Sequence, residues 1–233
     1  MNLPKIEHPT FTLFLPISER KISFRPMLVK EEKILLLAKE SNDDGTIVEN
    51  IKNVIQNCVY DKLDFDDLPL AEVEFIFLNI RAKSINNIIT VNVTDRYVPN
   101  KKHQLDVDLE EVTIRFNKEL NPTINLEENL GIVLKYPTIN LIKSLATNPE
   151  EDPGIITFKN CLLSVFDSEN VYKIKDVSEK EVDMFIDNLS PKHLEKIKEF
   201  FDNVPKLHFE IKFLNSKNQP DSVVLDTFRD FFS

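Results

Sequence analysis

The sequence predicts an α+β fold made of an N-terminal β-hairpin and helices, an inserted small antiparallel sheet, and C-terminal helices with a strand. Apolar residues recur at helical spacing in segments before residue 86 and after residue 139. Between residues 88 and 126 the apolar period changes to two, which is typical of half-buried strands. The chain contains only three glycines. A doubly wound nucleotide-binding fold needs several glycines in its phosphate turn, so that class is excluded.

The first strands form a predicted β-hairpin. Apolar residues alternate along residues 11–15 and resume at residues 22–24, on either side of the polar segment 16–21. Two short alternating runs around a polar turn indicate two paired strands. Pro26 ends the second strand, because its ring fixes its own φ and disfavours helical geometry at Arg25. A helix can therefore begin just after Pro26.

Three helices are predicted to follow the hairpin. The first contains four consecutive aliphatic residues at 34–37, so we expect it to be covered on most of its circumference. It ends in a loop at residues 41–45, where Gly45 is expected in a left-handed conformation. The segment Thr46–Glu49 predicts a capping box that starts the second helix, and Pro69 marks the start of the third.

The rest of the chain combines sheet and helix. Strands are predicted between residues 88 and 126, with residues 97–104 as their most mobile connection. Residues 148–154 form an acidic linker interrupted by two prolines. The other predicted elements are a helix at 139–146, a helix or mixed segment through 161–166, helices after Ser178 and Ser190, a strand at 207–213 and a short helix at 225–232.

These patterns suggest three parts of the chain. We predict a β-hairpin plus helical part at residues 1–86, a β-rich insert at 87–136, and a mainly helical C-terminal part at 137–233 that packs with residues 1–86. The patterns leave open whether the insert is an independent domain or whether the whole chain forms a single domain.

Composition argues against two classes of partner. The net charge is −10 and no segment forms a basic stripe. Because nucleic-acid binding needs clustered Lys and Arg, no nucleic-acid partner is predicted. The N-terminus lacks the apolar core of a secretory signal, and no run approaches the ~18 apolar residues of a membrane span. We therefore expect a cytoplasmic protein with no direct membrane insertion.

No sequence motif predicts a catalytic, metal or cofactor site. The chain has four histidines, and no pair of them has the spacing of a metal site. It contains neither a G-x-S-x-G motif nor a glycine loop that could hold a phosphate. Cys58 and Cys161 lie in apolar patterns, so we expect free, buried thiols. We predict no catalytic residue, no metal and no cofactor. A carboxylate site assembled from distant residues stays open.

Arg25 and Arg81 are candidate partner-binding residues. Each is a charged group at the edge of an apolar element, and a guanidinium pairs readily with a carboxylate in a bidentate fork. One interpretation is an internal ion pair that fixes how the hairpin and helices dock. The acids near enough in sequence for that role are Glu31, Glu32 and Glu74. The other interpretation is a contact with a partner, and we give it less weight.

The C-terminus supplies the other candidate partner-binding residues. Phe228, Phe231 and Phe232 lie within the last six residues. Aromatic side chains of this kind either anchor an interface or pack on the core of their own chain. The sequence favours neither outcome, so both stay open.

Several segments, taken in order, resemble the baseplate hub family of contractile-tailed, T-even-like bacteriophages. The segments that carry the resemblance are 24–41, 57–58, 73–78, 81–84, 107–110, 131–137, 179–185, 198–201, 204–207 and 230–232. Members of that family include a hub subunit and a hub assembly catalyst. The family often has cysteines in its central strands, but residues 91–105 contain none, so we predict no metal-stabilised loop there.

The resemblance implies a non-enzymatic protein that acts by protein–protein binding during tail assembly. Its implied partners are other phage baseplate hub or tail proteins, met in the host cytoplasm or in the virion baseplate. The alternatives are a transient tail assembly chaperone absent from the virion, a tail-associated hydrolase with a carboxylate site, and a host-directed adaptor.

Overall fold

The chain forms two compact units. The computed structural model describes residues 4, 6–41, 44–98 and 100–231. One unit consists of Met1–Arg115 with Lys206–Ser233, and the other of Phe116–Pro205. These limits differ from the boundaries at residues 86 and 136 proposed from the sequence. Compactness does not test whether a segment folds alone, so the three-part division stays a prediction.

The predicted α+β class, with its N-terminal hairpin, is confirmed. The strands are β1 (Phe11–Leu15), β2 (Arg20–Phe24), β3 (Ile88–Thr94), β4 (Lys102–Asp108), β5 (Thr113–Arg115), β6 (Thr123–Glu127), β7 (Leu130–Leu134), β8 (Leu162–Asp167), β9 (Val171–Lys173), β10 (Lys206–Leu214) and β11 (Pro220–Leu225). The α-helices are α1 (Val29–Ser41), α2 (Asp44–Cys58), α3 (Leu70–Ser84), α4 (Ile139–Thr147), α5 (Pro153–Cys161), α6 (Glu179–Asp187) and α7 (Pro191–Asp202). Short 3-10 helices span Ile174–Asp176 and Phe228–Phe231.

The first unit begins with the β1–β2 hairpin, in which Leu13 lies opposite Ile22. Leu15, Ile22 and Phe24 are buried, as expected for one face of an alternating strand pair. Phe24 also forms an antiparallel bridge with Val59, just after α2. The end of the hairpin is therefore tied by backbone bonding to the end of the second helix.

A buried carboxylate fixes the turn of this hairpin to α3. The side chain of Glu72 is fully buried. Its Oε1 accepts hydrogen bonds from the backbone N–H groups of Ile17 at 2.8 Å and Ser18 at 3.0 Å. These bonds satisfy two turn donors that the hairpin itself leaves unpaired.

The rest of the first unit is built from two antiparallel sheets. In the β3–β4 pair, Val91 lies opposite Leu105. Strand β10 is the centre of a three-stranded sheet in the order β11-β10-β5, with Ile211 opposite Val223. The inward side chains form a core with one side of α3. Its buried members are Leu78, Ala82, Ile89, Val91, Val107, Leu109, Val112, Leu207, Ile211, Leu225 and Phe231.

The second unit contains a four-stranded antiparallel sheet in the order β6-β7-β8-β9. Its core is formed by buried residues from the sheet and from α5, α6 and α7: Leu126, Ile132, Leu134, Phe158, Leu162, Val182, Ile197 and Phe200. Gly131 on β7 lies under the ring of Phe166, where an added Cβ would be 2.2 Å from Cζ. Only glycine fits at that position without moving the ring.

Two helices in the second unit begin where the sequence predicts them. Ser178 begins α6 and Ser190 begins α7, each through a capping box with the residue three positions later. Pro191 occupies the first turn of α7, where a missing N–H costs no hydrogen bond.

Three expectations for the first helices are wrong. α2 begins at Asp44, so Thr46 lies inside the helix and cannot form a capping box at its start. Gly45 is also helical, and no described glycine has a positive φ. Nor is α1 covered on most sides: Leu36 and Leu37 remain 58% and 67% exposed. The helix buries only its other side, which carries the fully buried Glu31.

The end of the chain also differs from its prediction. A short helix was expected over 225–232, but β11 extends to Leu225 and only Phe228–Phe231 forms a 3-10 turn. Leu225 pairs with Phe209 of β10, and this hairpin contributes to the core of the first unit. The sheet therefore takes up Leu225, and the described residues after it form only this short turn.

Candidate functional site

Arg25 lies at the junction of the hairpin with α1 and α2. Its guanidinium is almost entirely buried, and Nη2 forms an ion pair with Glu31 Oε1 at 2.9 Å. Nη2 also donates to the carbonyl of Asn57 at 2.8 Å, and Nη1 donates to the carbonyl of Pro26 at 2.9 Å. The internal ion pair offered as one interpretation is present. A contact between Arg25 and a partner stays a prediction.

Glu31 is the buried counterpart of this cation. Burial by itself raises the pKa of Glu31, but hydrogen bonds from Arg25 and from the Leu28 N–H outweigh it and lower the pKa below its usual value. The nearby Cys58 thiol has its pKa raised to about 11, mainly by burial. It therefore stays protonated at neutral pH and is not a thiolate nucleophile.

Arg81 differs from Arg25 because its charge is not neutralised within the described part of the chain. It lies half-buried in the last turn of α3 and donates one long hydrogen bond, 3.4 Å, to the carbonyl of Asn86. Burial lowers the pKa of Arg81. Glu74, the α3 acid considered as its partner, is half-buried and has its pKa raised to about 8 by burial.

The C-terminal phenylalanines pack against the core of their own unit. Phe231 is only 2% exposed and belongs to that core. Phe228 is partly buried, and its ring lies edge-to-face against Phe77 with the centroids 5.6 Å apart. Phe232 lies outside the described residues. Partner binding by these three residues stays a prediction.

A second polar cluster lies where two hairpins of the first unit end. We define the loop tip as the described residues of 95–103 and 214–221, which include the connections from β3 to β4 and from β10 to β11. Asp95 organises the first loop: its Oδ1 accepts the backbone N–H groups of Tyr97 at 2.7 Å and Val98 at 2.9 Å. This is the Asx-turn geometry that aspartate favours at loop starts.

The same carboxylate joins the second loop to the first. Oδ2 of Asp95 accepts the Ser216 backbone N–H at 2.9 Å and the Ser216 hydroxyl at 2.6 Å. His103 Nε2 lies 2.7 Å from the same oxygen. The hydrogen bonds from His103 and Ser216 hold the pKa of Asp95 far below its usual range. Asp95 is thus a buried anion fixed by bonds from both loops.

Although Asp95, His103 and Ser216 are the residue types of a hydrolytic triad, their order in space is wrong for one. In a triad the imidazole lies between the carboxylate and the serine, so that it can accept the serine proton. Here the Ser216 hydroxyl donates directly to Asp95. The cluster therefore fixes loops and does not activate a nucleophile.

No pattern in the sequence indicates this cluster, because Asp95 and Ser216 are 121 residues apart. The only local signal was the turn preference of Asp95 and of Asn215, whose Oδ1 accepts the N–H groups of Lys217 and Gln219.

Within the described residues, no group of three or more His, Cys, Asp or Glu side chains could hold a metal ion. No helix in the same part of the chain is long and apolar enough to cross a bilayer.

The fold and these clusters define the class of the protein. It is an α+β protein whose buried charged groups, at Arg25 and at the loop tip, hold structural elements together. The family model described as T4 bacteriophage base plate protein matches residues 8–233. The chain therefore belongs to that family, which confirms the resemblance at the level of the phage baseplate. No curated protein and no solved structure matches the chain. Membership suggests a structural role in the baseplate and implies interactions with other phage baseplate proteins.

Proposed function

We propose that this protein builds the central hub of the phage baseplate, either as a hub subunit or as a hub assembly factor. It acts without catalysis, by binding other hub or tail proteins in the host cytoplasm. The observation that carries this proposal is the family match over residues 8–233, since it covers both compact units.

The environment of the nucleophilic side chains supports a non-enzymatic role. Burial raises the pKa of Cys58 to about 11 and of Cys161 to about 12, so both thiols stay protonated at neutral pH. The Ser216 hydroxyl donates directly to the Asp95 carboxylate and not to an imidazole that would act as a general base. A tail-associated hydrolase would need convergent ionisable groups around a cleft, and no observation favours that alternative.

Exposed apolar side chains supply surface for binding. Val29, Leu36 and Leu37 are exposed on α1, and their spacing of seven and eight residues places them on one face. A helix face of this kind fits the apolar groove of a partner. We propose this face as one contact with another hub protein.

The partner-binding residues suggested by the sequence have different roles in this proposal. Arg81 would meet an acidic group of the partner, because its guanidinium has only one backbone acceptor in the described structure. Phe228 and Phe231 would support the contact by holding the C-terminal turn on the core, and Phe232, the next residue in the sequence, would contact the partner. Arg25 would act indirectly, by fixing the hairpin against α1.

Mass spectrometry of purified virions, combined with deletion of the gene, tests the role. A few copies per virion together with loss of baseplate assembly in the deletion support a hub subunit. Absence from the virion with the same assembly defect supports an assembly factor that leaves, as a transient chaperone would. Normal baseplates in the deletion would reject both forms of the proposal.

A further inference from the structure

The loop tip exposes cationic side chains on a chain whose net charge is −10. The cations on residues 95–103 and 214–221 are Arg96, Lys101, Lys102 and Lys217, and all four are exposed. The acids on the same segments are Asp95 and Asp221. Four cations against two carboxylates leave the tip at +2 with His103 neutral.

The two acids do not present their charge to solvent. The Asp95 side chain is fully buried and bound to Ser216, His103 and two backbone N–H groups. The Asp221 side chain is 11% exposed and lies 3.8 Å from Arg96. The solvent-facing part of the tip is therefore positive.

An aromatic ring lies among these cations. Tyr97 is 47% exposed and Val98 is 40% exposed. The ammonium group of Lys217 lies 4.0 Å from the centre of the Tyr97 ring, a cation–π contact that joins the two loops at the surface. Aromatic side chains are enriched at protein interfaces, and the exposed lysines around Tyr97 fit the polar rim of such a contact.

The backbone under this surface is held in one conformation. Asn100 and Asn218 have φ of 64° and 57°, in the left-handed region that non-glycine residues seldom adopt. Asparagine tolerates this conformation better than most residues do, and hydrogen bonds from both loops to Asp95 fix the backbone beside these turns. A surface ordered before binding loses little conformational entropy when a partner docks.

We propose that the loop tip is a docking site for an acidic segment of a partner protein. Tyr97 and Val98 supply the apolar contact, and Lys101 and Lys217 pair with carboxylates on either side of it. A protein segment fits better than nucleic acid, because apolar side chains separate a small number of cations and no continuous basic track follows a phosphate backbone. The inference rests on the proposed function only in that the protein acts by binding proteins.

Fluorescence anisotropy of the full-length protein tests the proposal with a labelled ten-residue peptide of alternating glutamate and leucine. The loop-tip variant Lys101→Glu/Lys217→Glu changes one exposed lysine in each loop. The matched control Lys175→Glu/Lys192→Glu changes the net charge equally at two exposed lysines of the second unit. We expect the loop-tip variant to bind about tenfold or more weakly, and the control to stay within about twofold of the unchanged protein.

The expected binding also weakens between 50 and 300 mM salt, as charge pairing at an exposed site requires. We expect both variants to keep their fold, because all four substituted lysines are exposed, and circular dichroism checks this. Three results would overturn the proposal: no peptide binding by the unchanged protein up to millimolar concentration, equal loss in both variants, or displacement of the peptide by a ten-nucleotide DNA strand at equal concentration. None of these depends on virion composition, so failure here is distinguishable from failure of the hub role.

Discussion

Ser216 donates both its backbone N–H and its hydroxyl to one oxygen of Asp95, at 2.9 and 2.6 Å, across 121 residues of sequence. A buried carboxylate attracts several donors at once, because each bond offsets part of the cost of removing its charge from water. One side chain thus determines the relative position of the β3–β4 and β10–β11 loops.

Replacing Asp95 with asparagine should destabilise the first unit. The amide keeps the shape of the carboxylate but loses its charge and one acceptor oxygen, so donors from Ser216 or His103 are left unpaired. We expect the midpoint of thermal unfolding at pH 7 to fall by about 3–6 °C. Asp106→Asn, at an exposed position on β4, is the matched control and should change the midpoint of thermal unfolding by less than about 2 °C.

The pH dependence of this effect has a defined sign. Because the folded-state pKa of Asp95 lies below its unfolded value, the stabilisation is complete above about pH 4 and declines as the pH falls below it. The difference between the unchanged protein and Asp95→Asn should therefore narrow in acid. A difference that stays constant from pH 7 to pH 3 would contradict the assigned role of the carboxylate.

Glu31→Gln should lower the free energy of unfolding more than the neighbouring Glu32→Gln does. Glu31 is fully buried and paired with Arg25, whereas Glu32 is exposed. Removing one partner of a buried ion pair leaves the other charge uncompensated, which costs about 3–5 kcal/mol. An exposed substitution changes stability by about 0.5 kcal/mol or less. Urea unfolding measures both, and equal free energies of unfolding would show that the pair contributes little.

Arg25→Lys tests whether charge alone suffices at this position. The guanidinium bonds Glu31 and the carbonyls of Asn57 and Pro26 at once, in different directions. A lysine ammonium cannot reproduce this planar fork. We therefore expect Arg25→Lys to recover less than half of the stability lost in Arg25→Met.

The sequence predicts elements whose signals are local. The hairpin, the helix starts at Ser178 and Ser190, and the alternation of β10 depend on short-range patterns, and all are present. β11 was missed, because its strand character comes from pairing with β10. The exposure of Leu36 and Leu37 was missed for a related reason: a continuous aliphatic run does not reveal which sides of a helix have neighbours.

The candidate sites also differ in how far apart their residues lie in the sequence. The ion pair of Arg25 with Glu31 spans six residues, and sequence reasoning included it among three possibilities. The contact of Asp95 with Ser216 spans 121 residues and left no pattern in a single sequence. Contacts of that range depend on how the two hairpins are placed by the core beneath them.

Glu74 should give the protein a pH dependence of opposite sign to that of Asp95. Burial raises its pKa from 4.5 to about 8, so the folded state keeps a proton that the unfolded state releases above about pH 4.5. Stability from this group is complete below that pH and is lost progressively up to about pH 8. Glu74→Gln should remove this loss of stability with rising pH, and it should raise the free energy of unfolding at pH 8 by roughly 1–3 kcal/mol.

The measurement for Glu74 is urea unfolding at pH 5 and pH 8. Glu111→Gln, an exposed acid of the same unit, is the control and should show no gain at pH 8. If Glu74→Gln stabilises equally at both pH values, the gain comes from packing and not from titration. If it destabilises at pH 8, the carboxylate has a binding partner in the folded state.

Substitution of Phe231 tests whether the C-terminal turn belongs to the core or to an interface. Its ring is buried in the core that also contains Leu207 and Leu225, so Phe231→Ala should reduce stability by about 3–5 kcal/mol. Phe14→Ala, at an exposed position on β1, is the control and should cost less than about 1 kcal/mol.

Because Phe231 packs inside its own unit, removal of residues 228–233 should broaden or abolish the unfolding transition of that unit. A truncated protein that unfolds normally but no longer captures hub proteins would instead assign the C-terminal rings to the interface.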